Sequence, residues 1–311
     1  GRRFSGTLEY YSRESQNLLF NVPLSLTTGL QDRPQNIGTL ANTGIEFSIQ
    51  GDLIRTNDFT WTANLNISTF KNEFKKLPFE EQIDGTKKFM VGRSINDFWL
   101  RDWYGVDPET GEGLYRAEVY EEDDATTRIV GQDTVTTRQN NARFHYAGTS
   151  IPDFFGGLNN TFRYKGFSLN VLVSYAVGGQ MYDGIYASLM SADPDGNALH
   201  VDALNRWQNS GDITDVPRMD VTTAAQSNAG SDRWLIDGSY LNLRSVNLSY
   251  NLPKTLLQRI SVGGATIYVA GENLGWMSAR KGMYVSGNFG GTTSNSYSPA
   301  RTFTVGLNVN L

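Results

Sequence analysis

The chain contains no cysteine, only two histidines and no long uninterrupted run of apolar residues. Without cysteine, these residues can form neither a disulfide framework nor a thiolate metal site. Without an apolar run of membrane length, they cannot cross a bilayer as helices. Charge is nearly balanced, with 27 Lys and Arg against 32 Asp and Glu, and there is no basic cluster. Nucleic acid is therefore not an expected partner.

Groups suited to catalysis are also scarce. His145 and His200 fall in different predicted loops, and no GxSxG nucleophile elbow accompanies them. The glycine pairs in 178–180 and 290–293 have no following lysine, so they do not form phosphate-binding loops. Spacing singles out no pair of acidic residues as glycosidase carboxylates. We predict that the chain is not an enzyme, with no catalytic residue and no cofactor.

What the sequence does contain is alternation of apolar and polar residues. In FTWTANLNIST the apolar side chains recur at every second position from Phe59 to Ile67, opposite Thr, Asn and Ser. A period of two is typical of a strand with one apolar and one polar face. The last eleven residues, RTFTVGLNVNL, repeat the pattern with Phe303, Val305, Leu307, Val309 and Leu311. The sequence therefore predicts an all-β protein.

Two details of strand pairing can also be predicted. Only YKG separates FGGLNNTFRY from FSLNVLVSY, which indicates a tight hairpin. In SYLNLRSVNLSYNLP the apolar positions change from odd at Leu243 to even at Val246. One extra residue near Arg244 or Ser245 would return the apolar side chains to one face, so we predict a β-bulge there.

The links between strands alternate between short and long. Short links are RTND, DPETGEG, YKG and NLPKTLLQRI, and long links fall near 13–41, 71–92, 120–152, 178–233 and 274–298. This alternation is typical of an antiparallel outer-membrane barrel, with short periplasmic turns and long extracellular loops. The ten predicted strands are 3–12, 42–54, 58–70, 93–106, 113–119, 153–164, 167–177, 234–251, 262–273 and 299–311.

The alternative is a soluble β-sandwich, in which the apolar faces of two sheets form a shared core. Such a chain would be a soluble carbohydrate-binding or adhesion module. Alternation alone does not separate the two architectures. Predicted strands of ten or more residues favour a tilted bilayer crossing, because strands of soluble proteins are usually shorter. Aromatic residues near strand ends suit an interfacial girdle, but they also suit a sandwich core.

A set of ordered motifs adds a family resemblance. LLFNVPLSLTTGL, NTGIEFSIQGDLI, GVDPETGEGLY, IPDFFGGLNNTFRYKGFSLNVLVSYAVGG, ALNRWQNSGDITDVPRM, DGSYLNLRSVNLSYNLP and AGENLGWM follow one another along the chain. In order and spacing they resemble the C-terminal part of the SusC/RagA family of TonB-linked outer-membrane transporters. The resemblance covers nearly all 311 residues.

The resemblance implies a 22-stranded barrel with a plugged lumen, of which residues 1–311 would be the C-terminal portion. No plug sequence and no TonB box are recognisable in this chain. In such barrels the terminal strand is also a signal for the insertion machinery. Its final residue is often aromatic, and Leu311 departs from that pattern.

By resemblance, the function is energised import of large nutrients across the outer membrane. The expected cargo is an oligosaccharide, or in some members a peptide, and loop composition does not separate the two. A SusD-like surface lipoprotein would close over the barrel as a lid. The TonB complex would act through the N-terminal region that this chain lacks, and outer-membrane lipid would surround the wall.

The loop 178–233 is long enough to be functional. Within it, Arg206, Trp207, Tyr182 and Tyr186 are candidates for stacking on a sugar or for contact with a lid. The alternative, which we favour for Trp207, is that the indole anchors the loop against the barrel rim.

No metal site is predicted. Asp193, Asp195 and Asn197 in DPDGN offer oxygens at alternate positions, but the glycine comes too early and no glutamate follows at the twelfth position of a calcium loop. A turn is the preferred interpretation. The acidic run from Glu121 to Asp124 is typical of a solvated loop tip.

Overall fold

The computed structural model describes residues 3–120, 122–192, 196–257, 262–293 and 297–310. Within these ranges there are eighteen strands and only short helices. The strands are β1 (Phe4–Pro23), β2 (Asp32–Arg55), β3 (Phe59–Lys76), β4 (Glu81–Asp84), β5 (Lys87–Met90), β6 (Asp97–Arg101), β7 (Trp103–Val106), β8 (Gly113–Arg116), β9 (Thr127–Val130), β10 (Asp133–Thr136), β11 (Phe144–Thr149), β12 (Phe154–Tyr164), β13 (Phe167–Val177), β14 (Gln180–Tyr182), β15 (Leu235–Asp237), β16 (Tyr240–Asn251), β17 (Gly264–Ser278) and β18 (Thr302–Asn310). The α-helices are α1 (Gly184–Leu189), α2 (Ala224–Ser227) and α3 (Lys254–Leu257).

Eight of these strands form one antiparallel sheet in the order β1-β2-β3-β12-β13-β16-β17-β18, which we call the wall sheet. Each strand pairs with the next one of the sheet along the chain, so the topology is a meander with insertions. The short links 56–58 and 165–166 and the described part of 252–263 lie at one end of the sheet. The link 24–31 and the described parts of the links 77–153, 178–239 and 279–301 lie at the other end. Short and long links alternate, as the sequence predicts.

The all-β, antiparallel class is confirmed, but the wall sheet has eight strands rather than about ten. The predicted strands 93–106 and 113–119 are wrong as wall strands, because the chain there breaks into β6, β7 and β8. These pieces are four or five residues long and belong to two small sheets, β7-β8-β10-β9 and β11-β6-β5-β4. Their apolar residues point to both sides and are buried, as Phe98 and Tyr115 are. DPETGEG is accordingly a turn inside an insertion.

The predicted long link 13–41 is also wrong, because most of it continues β1 and β2. Their pairing extends from Phe4 opposite Gly51 to Pro23 opposite Asp32. The hairpin is 20 residues long in β1 and 24 in β2. About 9–11 residues suffice for a tilted bilayer crossing, so this hairpin extends well beyond the thickness of a hydrocarbon core.

Register aligns the apolar residues of all eight wall strands on one side, which we call the apolar face. Val171 of β13, for example, pairs with Val246 of the neighbouring strand β16 and with Asn160 of the other neighbouring strand, β12. The apolar face comprises Phe4, Leu8, Tyr10, Ile45, Phe47, Ile49, Trp61, Leu65, Ile67, Leu158, Phe162, Leu169, Val171, Val173, Val246, Leu248, Tyr250, Ile267, Val269, Phe303, Val305, Leu307 and Val309. No layer of the described chain covers it, and Leu8 and Val305 are 73% and 75% exposed.

The opposite side of the wall sheet, the polar face, carries mainly Asn, Thr and Ser. Asn170 donates hydrogen bonds to Asn159 and Thr161 across the β12–β13 pair, at 2.8 and 3.0 Å. Further members are Thr62, Asn64, Asn66, Asn247, Ser249, Thr302, Thr304 and Asn308. The sheet therefore separates an apolar from a wet environment. A sandwich would bury the apolar face against a second sheet, so the soluble alternative loses support.

Aromatic side chains mark the short-link end of the apolar face. The rings of Trp61 and Phe162 stack at 5.5 Å, and those of Phe167 and Tyr250 lie 4.4 Å apart. The indole Nε1 of Trp61 donates to Asn160 Oδ1 at 3.0 Å, which gives the amide oxygen on the apolar face a hydrogen-bond donor. Amphipathic rings in a row at the edge of an apolar band are typical of a membrane interface.

The predicted hairpin and bulge are both confirmed. Tyr164 pairs with Phe167, and Lys165 has φ +52°, as a two-residue turn with positive φ requires. At Gly166 an added Cβ would lie 2.7 Å from the ring of Tyr250. In β16 the register on both neighbouring strands skips Arg244, which is the extra residue of the bulge.

Across the described ranges, no helix has both the length and the apolar composition that crossing a bilayer would demand.

Candidate functional site

The insertions 77–153, 178–239 and 279–301 fold together at the long-link end, and we call their described residues the loop assembly. They pack on the part of the polar face that lies nearest to the long-link end. Ser94 Oγ donates to Asn72 Oδ1 at 2.9 Å, and Asn242 Nδ2 donates to Ser286 Oγ at 2.8 Å. Phe289 stacks on Phe70 with ring centres 5.9 Å apart. The loop assembly therefore lies on the wet side of the wall sheet.

The bulge residue Arg244 ties one insertion to the wall sheet. Its Nε donates to Ser174 Oγ at 3.1 Å, and its Nη1 donates to the Tyr284 hydroxyl at 2.6 Å. Tyr284 also packs edge-on against Trp276. The extra residue thus directs a guanidinium toward the insertion 279–301 and fixes that insertion against the polar face.

Tyr182 and Tyr186 pack against one small core formed by Met190, Ala203 and Trp234. The Trp234 side chain is 1% exposed, and its Nε1 donates to Ala229 O at 3.1 Å. Burial raises the pKa of the Tyr182 hydroxyl. Tyr182 is thus mainly a structural residue, whereas part of Tyr186 faces a cavity.

Trp207 contacts the first insertion rather than the core around Trp234. Its Nε1 donates to Pro108 O at 2.8 Å, and its ring covers Gly111, where a Cβ would collide with the indole. Gly111 has φ +72°, so a side chain is disfavoured there for a second reason. The adjacent Arg206 is half-buried. The contacts fit the anchoring role for Trp207, with the neighbouring insertion as the surface that it anchors to.

The first and second insertions also meet through a charge network around the buried Asp102. The Asp102 carboxylate pairs with Arg116 at 2.8 Å and with Arg143, and His145 Nε2 lies 3.0 Å from Asp232 Oδ2. Burial is the largest single effect on the Asp102 carboxyl, and by itself it would raise the pKa. The hydrogen bonds from Arg143 and Arg116, together with the positive charge of Arg116, act in the opposite direction and outweigh burial. The pKa of Asp102 therefore lies below its usual range.

Asp102, His145 and Asp232 bring one ligand atom each within 4.8 Å of one another. Their spacing is compatible with a metal, but their partners are not, because two guanidinium groups already neutralise Asp102. Asp232 Oδ1 in turn accepts from the backbone N–H of Trp103 at 2.8 Å. The donor set therefore fits a structural network better than a cation site.

The remaining sequence candidates are dispersed. Asp193 and Asp195 of the proposed turn, and Glu121 of the acidic run, lie outside the described residues. Asp124 accepts from the backbone N–H and hydroxyl of Thr126, so it stabilises its own turn. His200 lies 3.2 Å from Asp202 and packs against Tyr186, far along the chain from His145. The prediction that no metal is bound remains a prediction.

The terminal-strand residues lie together on the apolar face. Phe303, Val305, Leu307 and Val309 are 72%, 75%, 59% and 45% exposed. Leu311 lies outside the described residues. The alternation that ends the sequence is therefore one strip of the apolar face, while its role as an insertion signal is a prediction.

Two neighbouring cavities lie among these loops. The first, of about 460 Å³, lies between α1 and the insertion 279–301 and includes Tyr186, His200 and Arg280. The second, of about 260 Å³, lies against the wall sheet and includes Phe155, Tyr240 and Phe289. Met181 and Asn288 contribute to both.

Sequence reasoning missed Arg280, which lines the first cavity and forms an ion pair with a buried carboxylate. Its Nε contacts Asp183 Oδ2 at 2.5 Å, and Asp183 is 1% exposed. The two residues belong to different insertions, so no local spacing relates them. The one available signal was the Asp183 position before a short helix, where its Oδ1 accepts from Tyr186 N at 3.1 Å as an N-cap.

The known sequences that are similar to this chain include TonB-dependent receptors of two bacteria. No family model matches the chain. It is 30% identical to TonB-dependent receptor P3 of Formosa agariphila, over 99% of this chain and 32% of that protein. It is 26% identical to TonB-dependent receptor SusC of Bacteroides thetaiotaomicron, over 99% of this chain and 30% of that protein. The chain thus spans about a third of the length of the curated relatives it matches.

Solved structures agree at the level of the fold. The RagAB peptide transporter superposes with a TM-score of 0.82 at 22% identity, over 99% of this chain and 33% of that chain. The RagAB peptide importer in its "open-open" state gives a TM-score of 0.79 at 23% identity. These likenesses confirm the predicted resemblance to SusC/RagA-like transporters, the barrel fold class and the outer-membrane location. The relatives are receptors and transporters, in agreement with the prediction of a non-enzyme.

Proposed function

We propose that the chain forms part of the barrel wall and the extracellular loops of a SusC-like, TonB-dependent transporter that imports large nutrients. The observation that carries this proposal is the exposed apolar face, which continues across all eight wall strands. Soluble monomers rarely expose apolar patches beyond a few hundred Å². A surface of this kind is stable when lipid is its solvent.

The dimensions of the central strands support the same proposal. β12 and β13 are eleven residues long each. Tilted strands of about 9–11 residues cross a bilayer. The aromatic row around Phe167 would then lie at the periplasmic interface, and the loop assembly would lie on the extracellular side. The polar face, lined by Asn, Thr and Ser, would face the lumen.

The edges of the wall sheet support its being part of a larger barrel. Within the described residues β1 and β18 each pair on one side only. Unpaired backbone groups are very costly in hydrocarbon, so both edges need partner strands. We propose that the remaining barrel strands, the plug and the TonB box belong to a longer polypeptide of which this chain is the C-terminal portion.

A SusD-like surface lipoprotein is the proposed lid, and the cargo is an oligosaccharide or a peptide. The loop assembly offers the surface for such a partner, since it covers the long-link end of the polar face. The TonB complex would transmit mechanical energy to the transporter through the plug rather than through the residues of this chain.

The test is to purify the native polypeptide that contains this chain from outer membranes in mild detergent, and to identify what copurifies. We expect a protein about three times as long, in proportion to the matched relatives, bound to a surface lipoprotein. A detergent-independent species of the length of this chain, with no partner, would contradict the proposal.

A further inference from the structure

The side of β3 that carries the apolar face becomes charged toward the long-link end. The side chains on this side are apolar over 61–67, and Lys71 and Glu73 follow on the same side. The loop assembly packs on the opposite side of the strand, against Phe70 and Asn72. Successive residues of a strand point to opposite sides. Lys71 and Glu73 therefore face away from the loop assembly, as the apolar face does.

Strand geometry gives the height of this charge in the membrane. Lys71 comes ten residues after Trp61, which belongs to the aromatic row at the short-link end. At about 3.3 Å per residue and a tilt of about 40°, ten residues rise about 25 Å along the bilayer normal. The apolar band of an outer-membrane barrel is about 25 Å tall. Lys71 therefore lies at the second interface, where the lipid headgroups begin.

One carboxylate holds two lysines at this level. The Nζ atoms of Lys71 and Lys75 lie 3.0 Å from different oxygens of Glu73, and we call these three residues the lysine clamp. The Glu73 side chain is 22% exposed, whereas those of Lys71 and Lys75 are 75% and 47% exposed. The ammonium groups thus protrude further than the carboxylate. Each carries three N–H donors, so donors remain for a ligand beside the bond to Glu73.

Hydroxyl groups adjoin the lysine clamp on the next two strands. Thr43 of β2 pairs with Lys71, Ser12 of β1 pairs with Thr43, and the two hydroxyl oxygens lie 3.4 Å apart. Glu14 also faces this side, but it lies two residues further from the bilayer than Ser12 and accepts from Gln16. On β12, β13, β16 and β17 the corresponding side chains at the long-link end are apolar, namely Phe154, Val177, Leu241 and Met277.

We propose that the lysine clamp binds the phosphate of an anionic glycolipid in the outer leaflet of the outer membrane. Phosphate oxygens accept charge-assisted hydrogen bonds from both ammonium groups, and the Ser12 and Thr43 hydroxyls are placed for the sugar. The acyl chains would lie along the apolar face of β1–β3. The inference is independent of the cargo and rests on the proposed orientation, in which the loop assembly is extracellular.

The test is native mass spectrometry of the full-length protein in mild detergent with three added lipids. Diphosphoryl lipid A carries phosphates on an acylated sugar, dephosphorylated lipid A keeps the sugar and the chains, and phosphatidylglycerol carries a phosphate without the acylated sugar. Diphosphoryl lipid A should bind about tenfold more tightly than its dephosphorylated form, and more tightly than phosphatidylglycerol. The preference for the phosphorylated form should weaken as salt is raised.

Protein variants give a second arm. The triple variant K71Q/E73Q/K75Q removes the lysine clamp without leaving its carboxylate unpaired, and it should bind both forms of lipid A equally. K71R/K75R keeps the charges and should keep the preference. R55Q/K165Q is the matched control, because it removes two exposed positive charges at the short-link end. It should also keep the preference.

Equal binding of the two forms of lipid A by the unmodified protein would overturn the proposal. Equal binding of phosphatidylglycerol, or an unchanged preference in the triple variant, would do the same.

A separate measurement tests the orientation. Leu30 is 59% exposed in the link 24–31 at the long-link end, so Leu30→Cys should react with a membrane-impermeant maleimide on intact cells, above the level of the unmodified protein. Labelling of intact cells without a lipid A preference would mean that the inference alone fails. Labelling only after permeabilisation would contradict the proposed orientation itself, so the two failures are distinguishable.

Discussion

The wall sheet and the loop assembly are stabilised in opposite ways. In the wall sheet the large apolar side chains are exposed, and Val305 is 75% accessible. The loop assembly has its own buried apolar side chains, and Phe98 and Trp234 are 0% and 1% accessible. One chain is therefore built for two solvents. The wall sheet depends on lipid and on backbone pairing, and the loop assembly depends on an aqueous type of core.

Charged residues follow the same division. The loop assembly contains the ion pairs Arg116–Asp102, Arg280–Asp183 and Arg218–Glu112. The central positions of the apolar face carry no charged side chain. Water is therefore the solvent that the loop assembly requires, and substitutions should have opposite consequences in the two regions.

The largest effect is expected from Trp234→Ala in the loop assembly. Removing a fully buried indole costs about 3–5 kcal/mol. We expect faster amide exchange throughout 178–239, while the wall sheet keeps its resistance to SDS in an unheated gel. Ile213→Ala is the control, because Ile213 is 97% exposed. Loss of SDS resistance in the Trp234 variant would show that the two regions do not unfold separately.

The next prediction compares substitutions of two neighbouring residues that lie on opposite faces of β13. Val171→Arg places a charge at mid-height of the apolar face, at a cost of about 2–4 kcal/mol in a bilayer. Leu172→Arg places the same charge on the polar face, and we expect little loss because that side is wet. Urea unfolding in lipid vesicles measures both. Similar midpoints for the two variants would contradict the assignment of the faces.

Arg244→Ala should loosen the connection between the two regions. The variant removes two hydrogen bonds that the charged guanidinium donates, one to Ser174 and one to Tyr284. A hydrogen bond from a charged group contributes about 1.5–3 kcal/mol to stability. Amide exchange should rise in 283–292 and remain unchanged in β13. Arg55→Ala is the control, since the Arg55 side chain is 72% exposed in its ion pair. Equal exchange in both variants would mean that the bulge does not fix the insertion.

Trp207→Ala should have a smaller effect, confined to the loop assembly. The lost hydrogen bond to Pro108 is worth about 1 kcal/mol, with some lost packing on Gly111. Amide exchange should rise in 107–112, while lid affinity and uptake should stay unchanged if the indole is an anchor. Reduced uptake with unchanged exchange would instead indicate contact with the cargo or the lid.

The last effect, which is small at neutral pH, is a pH dependence within the loop assembly. The Lys87 ammonium lies 3.2 Å from the Phe98 ring centre, and burial lowers the pKa of Lys87 to about 7. The unfolded chain keeps this proton until about pH 10. Folding therefore releases a proton between these values, so the free energy of unfolding should rise with pH above about 7.

Lys87→Met should remove that rise and leave the remaining pH profile unchanged. The measurement is the denaturation midpoint of the loop assembly from neutral to alkaline pH in both proteins. Parallel profiles would show that Lys87 stays protonated in the fold.

Sequence periodicity predicted the wall sheet better than the loop assembly for a physical reason. A strand between lipid and water has one environment on each side, so β18 alternates strictly and β13 alternates except at Leu172 and Ala176. The break of phase at Arg244 could be located for the same reason. In 93–119 both sides of each short strand are at least partly buried, so alternation disappears and the strands were assigned to the wrong sheet.

The site was predicted less completely, because its contacts join distant segments. Trp207 and the DPETGEG turn were each identified from the sequence, but the contact between the indole and Gly111 of that turn could not be. The pairing of Arg280 with Asp183 depends on how two insertions fold over the polar face. Neither residue belongs to a periodic segment, so periodicity gave no signal for the pair.

The central claim is that the apolar face contacts lipid and the polar face contacts water. Since this chain has no cysteine, single cysteines can be introduced along β18 from 302 to 310 and spin-labelled in the full-length protein in vesicles. Collisions with oxygen should peak at 303, 305, 307 and 309, and collisions with a water-soluble nickel complex should peak between them. Accessibility to the nickel complex at every position, or a profile without a period of two, would contradict the account.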